Sequence, residues 1–278
     1  MIKTLNAQVI KTQLEAYKAS DIFSGDIYVF DSVTSTNLLA KDFASKNCTE
    51  CVFIAEHQTQ GRGRLGRSFF SPEGTGLYMS LVFSPSKRIE NPSLITASAA
   101  VGVCRALKSE CNADARIKWV NDIFFQGKKI CGILTEGILD EKKGGIGSAV
   151  IGIGVNIAES SEGFPEEIAS VAGSVFGKTC EVIDKNKIAS AIIYEVYNAV
   201  KSTFAGDKSA IKEYSRRSIF VTGQKLTVFP VACSTEQSYE ASYVGIDEQA
   251  HLIVEKSDGM RVALNSGEVT LRSSLQID

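Results

Sequence analysis

The chain reads Cys51-Val-Phe-Ile-Ala-Glu-His-Gln-Thr-Gln-Gly-Arg-Gly-Arg-Leu-Gly-Arg67 in one continuous stretch. The apolar residues through Ala55 predict a buried strand, and a loop with three glycines and three arginines follows between Gly61 and Arg67. Glycines allow the backbone to approach a ligand closely, and guanidinium groups gather around negative charge. The stretch therefore predicts an anion-binding loop at a strand end, the alternative being a flexible, solvated loop.

The same loop matches the pattern G-x-G-x-x-G between Gly61 and Gly66. A dinucleotide-binding fold requires this pattern to open a helix. Here Phe70-Ser-Pro-Glu-Gly-Thr-Gly76 follows, which reads as a turn leading into the apolar strand 76–83. The Rossmann interpretation is therefore excluded.

Apolar patterns on both sides of the loop predict a domain that mixes strands and helices. Strands are predicted at 26–33, 51–55, 76–83, 116–120 and 148–157, with a hairpin whose strands 123–125 and 130–134 flank a turn at 126–129. Helices are predicted after Ser35 or Thr36, from Asn91-Pro92, from Asp184 to Phe204 and over 209–217. Beyond Phe220, short strands at close spacing predict a small β-module, a barrel or a sandwich. The predicted domains are 1–222 and 223–278.

Composition excludes several classes of function. The 278 residues carry 30 Lys and Arg against 32 Asp and Glu, so no global basic field exists to attract nucleic acid or an anionic membrane. No apolar run is long enough for a membrane span and no secretory signal opens the chain, so a cytoplasmic location is expected. The two histidines, His57 and His251, occur in no H-E-x-x-H motif, and no G-x-S-x-G elbow is present. Cys48 and Cys51 lack a second ligand pair, so no metal site is predicted. The other five of the seven cysteines lie among apolar stretches and read as reduced core residues: Cys104, Cys111, Cys131, Cys180 and Cys233.

Polar residues collect in two further segments between apolar strands. Ser35-Thr-Asn37 follows the first strand, and Lys118-Trp-Val-Asn-Asp122 follows a short apolar one. Lys118 reads either as an edge residue whose ammonium reaches solvent or as a cation that neutralises a bound phosphate or carboxylate.

Taken together, the segments resemble the ordered motifs of the biotin protein ligase family. The motifs are Ser35-Thr-Asn37, Glu56 to Arg67, Lys118-Trp-Val-Asn-Asp122, Lys129-Ile-Cys-Gly-Ile-Leu-Thr-Glu136 and Gly152-Ile-Gly-Val-Asn156. The resemblance implies an α+β fold: a mixed or antiparallel sheet with helices packed on it, like class II aminoacyl-tRNA synthetases, plus a small C-terminal SH3-like β-barrel. It also implies an ATP-dependent ligase that forms biotinyl-5′-AMP from biotin and MgATP, releasing pyrophosphate, and transfers biotin to a carrier-protein lysine.

The resemblance also implies roles for individual residues. Catalytic roles are expected for Lys118, Arg62 and Arg64. Biotin contacts are expected from Ser35, Thr36, Asn37, Gln58, Gly61, Arg62, Gly63, Arg64, Lys118 and Gly132. Nucleotide contacts are expected from Arg64, Phe69, Lys118, Asn121 and Asn156. Two positions depart from the family pattern: Phe69 stands where an aromatic Trp is frequent, and Val120 replaces the usual proline.

The implied ligands and partner are biotin, ATP, Mg²⁺ and a biotin carboxyl carrier protein of acetyl-CoA carboxylase or a related carboxylase. Too few residues precede Ser35 for a winged helix-turn-helix, so no DNA binding is expected, and the protein is expected to be a monomer or homodimer. Two rivals remain: a lipoate or octanoate ligase, and a binder of biotin or nucleotide without catalysis.

Overall fold

The computed structural model describes residues 2–17, 19–178, 182–229, 238–265 and 268–271. Helices within these ranges are α1 Ala7–Ala16, α2 Thr36–Lys46, α3 Pro92–Cys111, α4 Glu166–Ala169, α5 Lys185–Phe204 and α6 Ser209–Arg216. The strands are β1 Ile2–Lys3, β2 Asp26–Val33, β3 Cys51–Gln58, β4 Gly76–Phe83, β5 Arg116–Lys118, β6 Asp122–Phe125, β7 Lys128–Asp140, β8 Gly145–Asn156, β9 Ile183–Asp184, β10 Lys225–Phe229, β11 Tyr239–Ile246, β12 Leu252–Lys256, β13 Arg261–Leu264 and β14 Glu268–Leu271.

A seven-stranded mixed sheet forms the centre of the larger unit, in the order β2-β3-β4-β8-β7-β6-β5. Strands β2 and β3 are parallel, and the other neighbours are antiparallel. Every residue of β4 is buried, which explains its continuous apolar sequence. The prediction of a mixed sheet covered by helices is confirmed.

Helices cover both faces of this sheet. Alternate residues of β3 point to opposite faces: Val52 and Ile54 join the main core with α3 and α5, whereas Cys51 and Phe53 join a smaller cluster with α2. The predicted N-caps of the two long helices are confirmed. Asn91 accepts a hydrogen bond from Ser93 N, and Asp184 accepts from Asn186 N and Lys187 N.

Gly102 allows the two long helices α3 and α5 to cross closely. A Cβ atom there would lie 2.7 Å from the backbone N and Cα of Val196. Because backbone atoms cannot rotate away, we expect Gly102→Ala to lower the free energy of unfolding by about 1–3 kcal/mol, despite the better helix propensity of alanine. Urea unfolding followed by circular dichroism measures this. Lys108→Ala, at an exposed position of α3, is the control; equal stability of the two variants would contradict the close crossing.

The smaller unit is an antiparallel five-stranded sheet in the order β13-β12-β11-β10-β14. Its buried residues include Leu226, Val228 and Val254. The unit contacts the larger one at Trp119, whose indole Nε1 donates a hydrogen bond to the carbonyl of Ala250 at 3.0 Å. The domain boundary near Thr222 and Gly223 stays a prediction.

Several details differ from the sequence predictions. The extended segment 116–120 ends as a strand at Lys118, because the chain turns through Trp119–Asn121 into the hairpin. Helix α1 and the short parallel pair β1–β9 were not predicted. Cys104 and Cys131 are buried as predicted, whereas Cys111, also predicted in the core, is only half-buried. Cys51 is buried, Cys48 is exposed, and Cys180 and Cys233 lie outside the described residues. Among the described helices, none is long and apolar enough to cross a membrane.

Candidate active site

A cavity of about 130 Å³ opens where the N-terminus of α2 meets the ends of β3, β7 and β8 and the glycine-arginine loop, residues 61–71. Its lining carries four cationic side chains, Arg62, Arg64, Arg67 and Lys129, and one carboxylate, Asp122. This excess of positive charge favours an anionic ligand. The other lining residues are Ser35, Thr36, Asn37, Gln58, Gly63, Ser68, Phe69, Met79, Asn121, Gly132, Ile133, Leu134, Gly152, Ile153 and Gly154.

The N-terminus of α2 forms a polar wall. Gln58 Oε1 accepts hydrogen bonds from Thr36 N at 2.9 Å and from Thr36 Oγ1 at 3.2 Å, while Gln58 Nε2 donates to Ser71 Oγ at 3.0 Å. Ser35 occupies the N-cap position, but its hydroxyl makes no capping bond to the helix. Ser35 is 1% exposed and lines the cavity at the positive end of the helix dipole.

Asn37 supports this wall from behind. Its Oδ1 lies 2.6 Å from Ser80 Oγ, and its Nδ2 donates to Glu136 Oε2 at 3.0 Å. Asn37 is only 4% exposed. Its amide is thus engaged within the protein, although the side chain borders the cavity.

The glycine-arginine loop folds back on itself like a hairpin. Phe69 N donates to the carbonyl of Gly61 at 2.8 Å, and Gly63 N donates to the carbonyl of Arg67 at 2.7 Å. A Cβ atom at Gly61 would lie 2.4 Å from the carbonyl oxygen of Phe69, so this close approach requires glycine. The guanidinium of Arg64 donates to Asn121 Oδ1 at 2.9 Å, which ties the loop to the opposite side of the cavity.

Phe69 occupies the interior of the cavity. Its ring packs against two glycines of the sheet: a Cβ at Gly154 would lie 2.4 Å from the ring, and one at Gly132 would lie 3.2 Å from it. The ring also packs edge-on against Tyr78, with centroids 6.4 Å apart. The glycines of β7 and β8 therefore create space for a flat group beside the sheet.

Lys129 is the lysine that the structure places in the cavity. Its Nζ lies 2.7 Å from Asp122 Oδ1, and both side chains are partly exposed. Lys118, the lysine chosen from the sequence, is not among the lining residues, because β5 is the outer strand and lies beyond β6. The hairpin register could have revealed Lys129: it pairs with Phe124 and thus lies diagonal to Asp122 on the same face.

The structure brings most of the other predicted residues together. Gly61 and Asn156 are exceptions, since neither lines the cavity, and Asn156 Nδ2 instead donates to the carbonyl of Gly173 at 2.9 Å. Besides Lys129, sequence reasoning assigned no role to Asp122 or Arg67, which line the cavity. The ligand contacts of all these residues stay predictions.

Glu136 lies beside the cavity and is held as a carboxylate. Burial would raise its pKa, but hydrogen bonds from Lys41 and Asn37 and the charges of Lys41 and Arg62 outweigh burial and lower the pKa below its ordinary value. Glu136 therefore remains charged at neutral pH. Among the described residues, no group of three or more metal-ligating side chains occurs.

The fold and the cavity define a class of ligand-binding protein. In this class, a mixed sheet and a glycine-arginine loop together enclose a cavity lined by cationic side chains. The profile of the Biotin/lipoate A/B protein ligase family matches residues 28–156. The bifunctional ligase/repressor BirA of Bacillus spizizenii is 30% identical over 83% of this chain and 70% of its own length. The biotin--[acetyl-CoA-carboxylase] ligase of Mycobacterium tuberculosis is 26% identical over 88% of this chain and 87% of its own.

The solved structures agree with the sequence comparisons. The biotin protein ligase from Aquifex aeolicus in complex with biotin and ATP matches with a TM-score of 0.74 and 25% identity, over 90% of this chain and 99% of its own. The chain belongs to the biotin/lipoate A/B protein ligase family.

Proposed function

We propose that this protein is a biotin protein ligase that activates biotin with MgATP and transfers it to a lysine of a carrier protein. One observation carries the proposal: a cavity with polar groups at one end is lined by four cations and a single carboxylate and is covered by a glycine-arginine loop. The names of the relatives, and the biotin and ATP bound in the Aquifex aeolicus ligase, support this choice within the family.

The first step joins two anions. A biotin carboxylate oxygen attacks the α-phosphorus of ATP, the bond to the bridging oxygen breaks, and pyrophosphate leaves. Arg62, Arg64 and Lys129 offset the repulsion between the reactants and stabilise the negative charge that develops at phosphorus. Lys118 is assigned its role by the resemblance alone, since it is not among the residues that line the cavity.

The second step requires no enzyme nucleophile. The neutral amine of a carrier lysine attacks the acyl carbon of biotinyl-5′-AMP, AMP leaves, and the amine loses a proton. The enzyme's task is to hold the adenylate and exclude water until the acceptor arrives. The closed loop over the cavity fits that task.

Specific contacts follow from the polar wall. We propose that Ser35, Thr36 and Gln58 bind the ureido end of biotin, with Gly132 beside its rings. Asn37 then acts by holding the wall, since its amide already bonds to Ser80 and Glu136.

The nucleotide is assigned to the other end of the cavity. Phe69 would stack on the adenine after leaving its place against Gly132 and Gly154, and Asn121 would contact the nucleotide. Asn156 enters this group only through the resemblance. Mg²⁺ is proposed to arrive with the ATP phosphates, because the lining offers a single carboxylate, Asp122.

The remaining features of the proposal concern the whole molecule. They are a class II synthetase-like catalytic domain, an SH3-like barrel formed by the smaller sheet, a biotin carboxyl carrier protein as acceptor, and a cytoplasmic location. The antiparallel order β13-β12-β11-β10-β14 supports the barrel.

Mass spectrometry of bound ligands tests the function. The protein is incubated with MgATP and an equimolar mixture of biotin, lipoate and octanoate, and we expect biotinyl-5′-AMP as the sole adenylate. Lipoyl- or octanoyl-AMP would place the protein with the other ligases of the family. Binding of biotin without any adenylate would indicate a non-catalytic binder.

Arg64→Gly is expected to loosen the closed loop. The substitution removes the hydrogen bond to Asn121 and one of the cavity's cations. We expect release of biotinyl-5′-AMP to accelerate about tenfold, the equivalent of about 1.4 kcal/mol, so that bystander lysines become biotinylated. Streptavidin blotting of an added protein without a carrier domain measures this. Arg88→Gly, at an exposed arginine outside the cavity lining, is the control, and equal bystander labelling by the two variants would reject the role of Arg64.

A further inference from the structure

Three elements that form the cavity meet at one carboxylate, that of Glu136 on β7. Its Oε2 accepts a hydrogen bond from Asn37 Nδ2 at 3.0 Å, and its Oε1 accepts one from Lys41 Nζ at 2.7 Å, both residues belonging to α2. Arg62 Nη1 of the glycine-arginine loop lies 3.7 Å from the same Oε1. Glu136 therefore links the polar wall, the loop and the sheet.

Two of these three elements are fixed without Glu136. Strand β7 pairs with β8 from Cys131 to Asp140, with Glu136 opposite Val150. Helix α2 packs on the sheet through its own buried cluster. The glycine-arginine loop is held to Glu136 more weakly. Arg62 is exposed, and its Nη1 lies at an ion-pair distance from the carboxylate that is too long for a hydrogen bond. Loss of the carboxylate should thus affect the loop most.

Glu136 itself lies outside the cavity lining, whereas Arg62 lies within it. The carboxylate therefore acts on a ligand through the guanidinium. On the other side of the loop, Arg64 is tied to Asn121. The two arginines hold the loop from opposite walls.

We propose that Glu136 is a positioning residue, whose carboxylate holds Arg62 at the cavity wall and so keeps the glycine-arginine loop closed over the bound adenylate. The inference rests on the proposed function for its effect on adenylate, but its effect on the loop does not depend on that function. Glu136→Gln is the informative variant, because an amide oxygen can still accept from Asn37 while the negative charge facing Arg62 is lost.

The first experiment uses the ligand-free protein. Trypsin cleaves after arginine, so limited digestion reports how often Arg64 and Arg67 become accessible. We expect the loop of Glu136→Gln to be cut about threefold to fivefold faster than that of the wild type. A change of this size is expected when a partly exposed ion pair that holds the loop closed is lost. Lys41→Met is the matched control: it removes the shorter ion pair to Glu136 but leaves Arg62, and its loop should be cut within about twofold of the wild-type rate. Equal rates for Glu136→Gln and wild type, or for the two variants, would overturn the proposal.

The second experiment measures dissociation of preformed biotinyl-5′-AMP from the enzyme. Glu136→Gln should release it about threefold to fivefold faster. In an Arg62→Ala background the same substitution should have no further effect, since Arg62 is the group through which Glu136 acts. A purely structural role would instead give additive effects and would refute the assignment. If the wild type forms no adenylate, the proposed function fails while the digestion result still decides the inference about the loop.

Discussion

Lys129→Met is expected to lower the rate of biotinyl-5′-AMP formation by about 10² to 10³-fold. The ammonium that pairs with Asp122 in the cavity would be lost, leaving an uncompensated carboxylate beside the site where a phosphate reacts with a carboxylate. Biotin-dependent exchange of labelled pyrophosphate into ATP measures this step directly.

Two further lysine variants serve as comparisons for Lys129→Met. Lys128→Met is the matched control on the same strand, because its ammonium donates to the carbonyl of Ser170 at 2.7 Å, outside the cavity. Lys118→Met tests the resemblance-based assignment, and we expect it to retain activity within about fivefold of the wild type. A large loss in Lys118→Met together with a small loss in Lys129→Met would support the assignment of Lys118 made from the sequence and reject the role of Lys129.

Lys185→Met is expected to lower the free energy of unfolding by about 3–5 kcal/mol. Lys185, at the start of α5, is 1% exposed and forms an ion pair with buried Glu56 on β3. Removal of one partner leaves an unpaired charge in the interior, which is costly although the pair itself contributes little. Urea unfolding followed by circular dichroism gives the difference.

The partner and a surface pair provide the controls. The double variant Glu56→Gln/Lys185→Met removes both charges and should recover at least half of the lost stability. Lys46→Met, which breaks an exposed pair with Asp42, should cost less than about 1 kcal/mol. A loss of less than about 1 kcal/mol in Lys185→Met would contradict the buried position of this ion pair.

The sheet could be predicted from sequence because its strands are strongly apolar and punctuated by glycine, proline and asparagine. The predicted strands 26–33 and 76–83 match β2 and β4 residue for residue. Helix α1 was not predicted because its apolar stripe is narrow and gives a weak helical pattern in the sequence. Only two of its residues, Ile10 and Leu14, are buried. The pairing of β1 with β9 joins residues about 180 positions apart, which no local pattern specifies.

The cavity was predictable as far as local sequence determines it. Glycines and arginines between Gly61 and Arg67 indicated an anion site, and the structure places Arg62, Arg64 and Arg67 around one cavity. The choice between Lys118 and Lys129 depended on strand order instead. Because β5 lies at the edge of the sheet and β7 lies beside β8, only the second lysine borders the cavity.

The hydrogen bond from Trp119 to Ala250 connects the smaller sheet to the turn that carries Asn121, a residue of the cavity lining. Trp119 stands two residues before Asn121, and its buried indole N–H has its acceptor on the turn between β11 and β12. Removal of the chain beyond Thr222 would leave that donor without its acceptor and expose part of the apolar ring. The smaller unit therefore cannot simply be replaced by an unrelated domain. A replacement would have to place a carbonyl oxygen where that of Ala250 accepts the hydrogen bond from Trp119.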